Sequence, residues 1–425
     1  MKALTRITAW LCCFFLIAGC QATGGPETGG QPPSSPAPVR PPFQRLADSS
    51  LSFEDWLAAF GAEASAQGIS PLTAPQAFAG VRLNQRVLEL DSRQPEFTRP
   101  VWDYLASTVS AERVATGSQL LIKHHALLQE VSRRYGVDPQ YIVAIWGIET
   151  NFGQNFGDFN VIEVLATLGY RGRRQDFGRD QLLAALRILD NGDITPARMK
   201  GSWAGAMGHT QFIPTAFLNY AVDFDGDGKR NLWQSLPDVF ASTANYLARS
   251  GWRSSQPWGF EVRLPPDFNW DLGDPDIRKP VAAWEQLGVR QANGGELPAT
   301  ASDGAIIAPA GYRGPAFLVF DNFHALQKYN NSTSYVLAVG QLADRMTGKT
   351  AIIAKWPTYL APLSRSENLE LQRLLIQRGY NPGAVDGIVG PRTRTAVKAF
   401  QKTVNQPNDG FPTQDLLEQL RRLSF

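Results

Sequence analysis

A mainly α fold, interrupted by a small β-containing subdomain and followed by a C-terminal three-helix bundle, is what three patterns in this 425-residue chain predict. Apolar residues recur at helical spacing from Leu51 to about Ala248, as in Phe53, Trp56, Leu57 and Phe60, and again in Leu182, Leu183, Leu186 and Leu189. Between Trp252 and Phe320 short β-branched and aromatic runs stand among Gly and Pro, such as Glu261–Leu264 and Ala316–Phe320, which predict a few strands. Helical periodicity returns from Tyr335 to about Met346, and the last sixty residues carry three further apolar stripes.

The chain opens with a targeting pattern. Lys2 and Arg6 precede an apolar stretch, Ile7–Ala18, that is shorter than the roughly 20 residues a membrane-spanning helix needs. It ends in Leu16-Ile17-Ala18-Gly19-Cys20, which resembles the bacterial lipobox; the resemblance implies a leader at 1–19 and a lipid on Cys20. Gln21 stands where an Asp would imply inner-membrane retention, so the expected address is the outer membrane, with the chain facing the periplasm. Residues 21–42 are rich in Gly, Pro, Gln and Ser and cannot form a core, so 20–45 reads as a flexible tether. On that reading Cys12 and Cys13 would leave with the leader and Cys20 would be acylated, so no disulfide is expected within one mature chain.

Charge excludes one class of partner. The net charge is +2 from 41 basic and 39 acidic residues; without Lys2 and Arg6 the two counts are equal. A neutral mature protein has no global electrostatic attraction for nucleic acid.

Asp138-Pro139 predicts an N-cap and first-turn proline for a helix through Tyr141-Ile142-Val143-Ala144-Ile145-Trp146-Gly147-Ile148-Glu149. Every position from Tyr141 to Ile148 is apolar or Gly, so this helix is expected to be buried all round, with Glu149 at its C-terminal end. Apolar neighbours and the negative end of the helix dipole both disfavour a carboxylate there. A carboxyl group held protonated near neutral pH suits a general acid. The bland alternative is a polar residue that merely ends a helix.

A second stretch, Gly201-Ser202-Trp203-Ala204-Gly205-Ala206-Met207-Gly208-His209-Thr210-Gln211-Phe212-Ile213-Pro214, is dense in small residues that let backbone approach a ligand. Ser202 and Gln211 offer hydrogen bonds, and Trp203 and Phe212 offer flat faces for sugar rings. A tightly packed inter-helix loop is the competing reading.

A third stretch, Asp223-Phe224-Asp225-Gly226-Asp227-Gly228-Lys229, places carboxylates at positions one, three and five and Gly at six, as an EF-hand loop begins. The Lys229 carbonyl would ligate at position seven, but position twelve is Gln234 rather than Glu. The expected ion is a structural calcium. A catalytic metal is not expected, because none of His124, His125, His209 and His324 has a partner at ligand spacing.

Gly147-Ile148-Glu149-Thr150-Asn151-Phe152-Gly153, followed by the Ser202–Pro214 run, resembles the B-type membrane-bound lytic transglycosylases, over residues 50 to 350. The resemblance implies a lysozyme-like α-rich catalytic domain, assigned to 46–355. It implies that Glu149 is a lone catalytic carboxyl group. Glu149 would protonate the glycosidic oxygen between N-acetylmuramic acid and N-acetylglucosamine in peptidoglycan. It would then act as base while the muramoyl C6 hydroxyl attacks C1, leaving a 1,6-anhydro end. No cofactor is implied for catalysis. Ser202, Gln211, Tyr246, Tyr329 and Asn330 match substrate-contacting positions; Tyr104, Arg173 and Arg174 match more loosely. Asp238 aligns with a later Asp that closes the family's calcium loop, once one extra residue is allowed.

Asp386-Gly387-Ile388-Val389-Gly390-Pro391-Arg392-Thr393 with Ala396-Val397-Lys398-Ala399-Phe400-Gln401 closely resembles the three-helix peptidoglycan-binding domain, assigned to 364–425. Leu371, Leu374 and Leu375 precede it on a helix ended by Gly379, and Thr413 caps a third helix with Leu416, Leu417 and Leu420. The expected protein is therefore a monomeric outer-membrane lipoprotein whose partner is the glycan strand. A hydrolytic muramidase and a non-catalytic wall anchor are the two other readings. A hydrolase normally carries a second carboxylate, about 5–5.5 Å away if retaining and roughly 6.5–9.5 Å if inverting. Asp158, Glu163 and Asp176 are the nearest acids in sequence, and none is expected to face Glu149.

Overall fold

A computed structural model describes residues 51–92, 99–298 and 302–423; the leader, Cys20 and the tether lie outside them. Helix dominates: seventeen α-helices occur among the described residues, none long and apolar enough to cross a membrane.

The helix Pro139–Thr150 forms because nothing along it needs water. Tyr141 through Ile148 are all buried, and the helix packs in one core with Val101–Thr108, Leu236–Arg249 and Thr333–Met346. Asp138 stands at its N-cap, yet its side chain makes no capping bond. Pro139 has no N–H to offer, and the Asp138 carbonyl takes the Tyr141 amide at 3.1 Å. Phe53–Ala66, Thr73–Phe78, Val161–Arg171, Gln175–Asp190 and Pro214–Tyr220 enclose a second core. Tyr329 packs against both cores, so it marks the seam between two helical lobes.

The sequence pattern missed one small pairing. Phe159–Asn160 pairs antiparallel with Lys200–Gly201, pinning the start of the glycine-rich stretch against the entry to Val161–Arg171. A Cβ on Gly201 would come within 2.1 Å of the Ala206 carbonyl oxygen, so the turn that follows requires glycine.

The expected strands appear as the centre of a five-stranded antiparallel sheet, ordered Lys279–Pro280, Asp303–Ile307, Ala316–Val319, Gly259–Arg263, Arg290–Gln291. One face covers a compact core of Trp284, Leu318 and Phe320. The other joins the main helical core through Ala305, Ile307, Phe317 and Val319. That is why the strand residues run apolar on both faces.

The C-terminal helices are Arg365–Gln377, Pro391–Thr403 and Gln414–Arg422, around Leu371, Leu375, Val397, Phe400, Leu417 and Leu420. Ser364 and Glu367 form a capping box, Gly379 leaves the first helix with φ +84°, and Thr413 accepts from the Leu416 amide. The Asp386–Thr393 turn is stitched by fully buried Gln372, whose Oε1 accepts from the amides of Asp386 and Gly387 and whose Nε2 donates to the Ile388 carbonyl. A polar seam docks this bundle on the sheet subdomain. Lys398 donates to the Gly273 carbonyl at 2.7 Å, Lys402 pairs with Asp271 at 2.6 Å, and Asp409 accepts from the Tyr312 amide.

Candidate active site

Glu149 lies in the last turn of the buried helix, and the backbone turns sharply after it. Asn151, Phe152 and Gly153 all have positive φ, at +50°, +59° and +81°. A left-handed non-glycine residue costs roughly 1–2 kcal/mol, so this exit must be held by packing. Gly147 holds it: the Phe152 ring lies where a Cβ would be, 2.6 Å from the nearest ring carbon. Phe152 also meets the Trp146 ring edge-on at 5.7 Å.

The Glu149 residue is half-buried, with its carboxyl group enclosed by protein. Burial raises its pKa from 4.5 to about 7, and a hydrogen bond from Tyr335 works in the opposite direction. The Tyr335 hydroxyl donates to Oε1 at 2.7 Å. Burial and the negative charge of Glu149 in turn drive the Tyr335 pKa far up, so it stays a donor. Glu163 is engaged with Asn84, while Asp158 and Asp176 are exposed.

Around this carboxyl group the tyrosines form a stack. Tyr335 and Tyr329 are parallel, 6.4 Å apart, and Tyr246 lies 4.8 Å from Tyr329. Tyr329 donates its hydroxyl to the Thr210 carbonyl and Tyr246 donates to the Lys328 carbonyl. Their phenolic protons are thus committed to backbone, and what they present is ring face and oxygen lone pairs. Tyr104 lies close enough to Tyr335 to disfavour its ionisation. The side-chain oxygens Asn330 Oδ1 and Thr210 Oγ1 are buried without a hydrogen-bond partner.

The glycine-rich stretch folds back on itself beside this stack. Ser202 Oγ accepts from the amides of Ala204 and Ala206, at 3.3 and 3.1 Å, which leaves its own proton uncommitted by either bond. Gln211, held at φ +52°, spends both amide protons on the Gly208 and Phe156 carbonyls, so its side chain faces any ligand with an acceptor. Phe212 departs from expectation. It is 2% exposed and backs Tyr246 and Tyr329 at 5.5 and 5.8 Å, so it supports the flat faces rather than presenting one.

Arg173 and Arg174 are not drawn into this group. The Arg173 amide donates to the Asp91 carboxylate at 2.7 Å and its Nε to the Asp91 main-chain carbonyl at 2.5 Å, and Arg174 lies over the Phe177 ring at 4.8 Å. Their places are set by the second lobe. Tyr335, by contrast, was read only as the start of a helical stripe. Nothing local singles out its hydroxyl: Thr333 and Ser334 precede it in the same helix, which also carries Gln341, Asp344 and Arg345.

In the acidic loop, oxygens of Asp223, Asp225 and Asp227 lie within 4.8 Å of one another. Three convergent carboxylates fit a hard cation. Asp238 does not join them. Its two oxygens accept the amides of Phe224 and Asn231, each at 2.7 Å, so it ties the neck of the loop. Lys229 gives its amide to Asp227 Oδ1 at 2.9 Å, which closes the turn.

Comparison with known proteins gives the family and the fold. Residues 52–344 match the Transglycosylase SLT domain family, and residues 364–420 match a peptidoglycan binding domain family. The structure of SltB3 from Pseudomonas aeruginosa in complex with NAG-anhNAM-pentapeptide is 54% identical, with a TM-score of 0.85 over 87% of this chain and 99% of that one. Membrane-bound lytic murein transglycosylase B of Escherichia coli (strain K12) is 29% identical over 57% of this chain, and the match spans 66% of that relative. The Escherichia coli lytic transglycosylase Slt35 in complex with calcium is 26% identical, with a TM-score of 0.58 over 68% of this chain and 92% of that one.

Proposed function

The chain belongs to the Transglycosylase SLT domain family, and from that premise we propose that it is a peptidoglycan lytic transglycosylase in which Glu149 serves first as acid and then as base. The observation that carries the reading is a carboxyl group with a pKa near 7 that accepts one tyrosine hydroxyl on Oε1. Such a group is protonated often enough to deliver a proton to the glycosidic oxygen. Once ionised it is a base strong enough to accept the proton of the muramoyl C6 hydroxyl as that oxygen bonds to C1. The proton leaves with the departing glycan and is replaced from the attacking hydroxyl, so no water is consumed and no cofactor is needed.

The surrounding groups suit a sugar. Ring faces of Tyr246 and Tyr329 offer apolar platforms. Gln211 Oε1 is an acceptor for sugar hydroxyls, and the Ser202 proton is a donor. Tyr104 flanks the stack. The C-terminal bundle would hold the strand near the cleft. Cys20 would carry the lipid that ties the enzyme to the outer membrane, facing the periplasm and acting as a monomer. The Asp223, Asp225 and Asp227 carboxylates would hold a structural calcium.

Digestion of purified murein followed by mass spectrometry tests the activity. Anhydromuropeptides are expected. Ends carrying one added water would make the protein a muramidase, and no turnover, with Glu149→Gln binding murein as wild type does, would make it an anchor.

A further inference from the structure

His209 sits at the middle of the glycine-rich stretch, half-buried, and both ring nitrogens are engaged. Nδ1 lies 2.8 Å from Trp146 Nε1. An indole N–H can only donate, so Nδ1 must be the bare, accepting nitrogen. Nε2 lies 3.2 Å from the Trp233 carbonyl, which can only accept, so Nε2 carries the proton. Two fixed partners thus select one tautomer of a neutral ring. Burial favours the same neutral state.

The main chain of His209 is tied as firmly. Its amide donates to the Leu232 carbonyl at 2.9 Å, and its carbonyl lies 3.2 Å from Thr150 Oγ1. Thr150 Oγ1 in turn accepts from the Gly153 amide at 3.0 Å. The ring fills the space above Gly153, where a Cβ would come 2.1 Å from the nearest ring atom, and it packs at 5.4 Å from the Phe156 ring. Trp146 precedes Glu149 by three positions, so the two share a helix face. His209 therefore fastens the Glu149 helix, its strained exit and the segment after the acidic loop to the stretch that bears Ser202 and Gln211.

We propose that His209 is a positioning residue for this reaction: its imidazole, pinned between the Trp146 indole and the Trp233 carbonyl, sets the placement of Glu149 relative to Ser202 and Gln211. The inference rests on the transglycosylase reading above. It concerns placement and not proton transfer, since both nitrogens are occupied by protein groups.

Two substitutions separate placement from mere packing. His209→Phe keeps a flat ring but removes the acceptor, whereas His209→Asn restores an acceptor near Nδ1 with less ring. Full-length variants are assayed on a soluble glycan oligomer for kcat and KM, with thermal unfolding in parallel. A displacement of about 1 Å at a reacting group can cost on the order of 100-fold. The expected result is a kcat lower by about 10- to 100-fold for His209→Phe, with KM changed less than about threefold. His209→Asn should recover most of that loss. Trp146→Phe approaches the same bond from the other side, and the double variant with His209→Phe should lose no more than either single one, because the two act as a unit. If His209→Phe folds poorly, Trp146→Phe alone remains, and it should lower kcat over the same range with KM little changed. The Trp146 indole ¹⁵N–H resonance should shift in His209→Phe and return toward wild type in His209→Asn.

Wild-type kcat in His209→Phe would overturn the proposal, as would equal loss in the Asn and Phe variants or losses that add in the double variant. Those outcomes leave wild-type turnover intact. Absence of anhydro products from the wild-type protein would instead overturn the transglycosylase reading, and the positioning role with it.

Discussion

Glu149 and Asp238 are both enclosed carboxyl groups, and burial pushes the pKa of each upward. Their partners differ. Asp238, 0% exposed, accepts the amides of Phe224 and Asn231, and these bonds pull its pKa back down. Glu149 has a single tyrosine hydroxyl on Oε1 and a pKa near 7. A buried carboxylate surrounded by amides stabilises a loop. One given a single donor keeps its proton within reach of another molecule. The difference lies in hydrogen-bond supply, which neither residue's sequence neighbourhood states directly.

Replacing each acid by its amide should break the comparison open, and Glu149→Gln should give the largest effect. Turnover of murein should fall by at least about 1,000-fold, read as anhydromuropeptide release. Stability should move the other way. The unfolded chain ionises this group near pH 4.5, whereas the fold delays ionisation to about pH 7. Below pH 4.5 the group is protonated in both states and costs nothing. As pH rises the cost grows, reaching its full value above pH 7, where that gap corresponds to roughly 3 kcal/mol. Denaturant titrations should therefore show Glu149→Gln more stable than wild type at pH 8 and equal to it at pH 4.

Tyr335→Phe sharpens the same contrast by taking away the one donor. The hydroxyl favours the ionised carboxyl group, so its loss should raise the Glu149 pKa further. The alkaline limb of the pH–rate profile should shift upward, with kcat lower by about 10- to 100-fold. An unshifted limb would mean that the hydroxyl does not set the acidity of Glu149.

What could be read before folding follows from how local each signal is. The all-apolar run Tyr141–Ile148 could only be a buried helix, and it placed Glu149 at a helix end without tertiary information. The alternating Asp residues of 223–227 are equally local, and their oxygens do converge. Partners from far along the chain were not legible. Tyr335 reaches Glu149 across 186 residues, and His209 reaches Trp146 across 63. Asp238 shows the converse hazard. An alignment put it with the calcium ligands, whereas its oxygens are turned to amides seven and fourteen residues away.

Asp238→Asn should act on stability and not on chemistry. An amide NH₂ would then face one backbone N–H that the carboxylate now satisfies, at a cost of about 1–3 kcal/mol. The unfolding midpoint should drop while kcat of the folded fraction stays within about twofold of wild type. Calcium provides the matching addition. A cation that binds only the folded loop at 100 times its dissociation constant adds about 2.7 kcal/mol. Its stabilising effect in a thermal melt should vanish on chelation and in Asp225→Asn. A calcium-independent melt would leave the three aspartates as a hydrogen-bonded turn.

The smallest expected effect belongs to Arg173. The family resemblance offers this residue as a substrate contact, but its amide donates to the carboxylate of Asp91, which is 3% exposed, and its Nε donates to the Asp91 carbonyl with the carboxylate 3.7 Å away. Arg173→Ala keeps the backbone amide bond and loses only the guanidinium contact. Because the Arg173 side chain is 49% exposed, that contact is largely screened and worth about 1 kcal/mol or less. The variant should melt slightly earlier and turn over glycan oligomers with KM and kcat within about twofold of wild type. A several-fold rise in KM at unchanged kcat would show the guanidinium leaving Asp91 to meet the glycan. The ion pair would then be a resting contact of a binding residue. Asp91→Asn distinguishes the two cases: it should lower KM if Asp91 competes with substrate for the arginine, and leave KM alone if the pair only braces the second lobe.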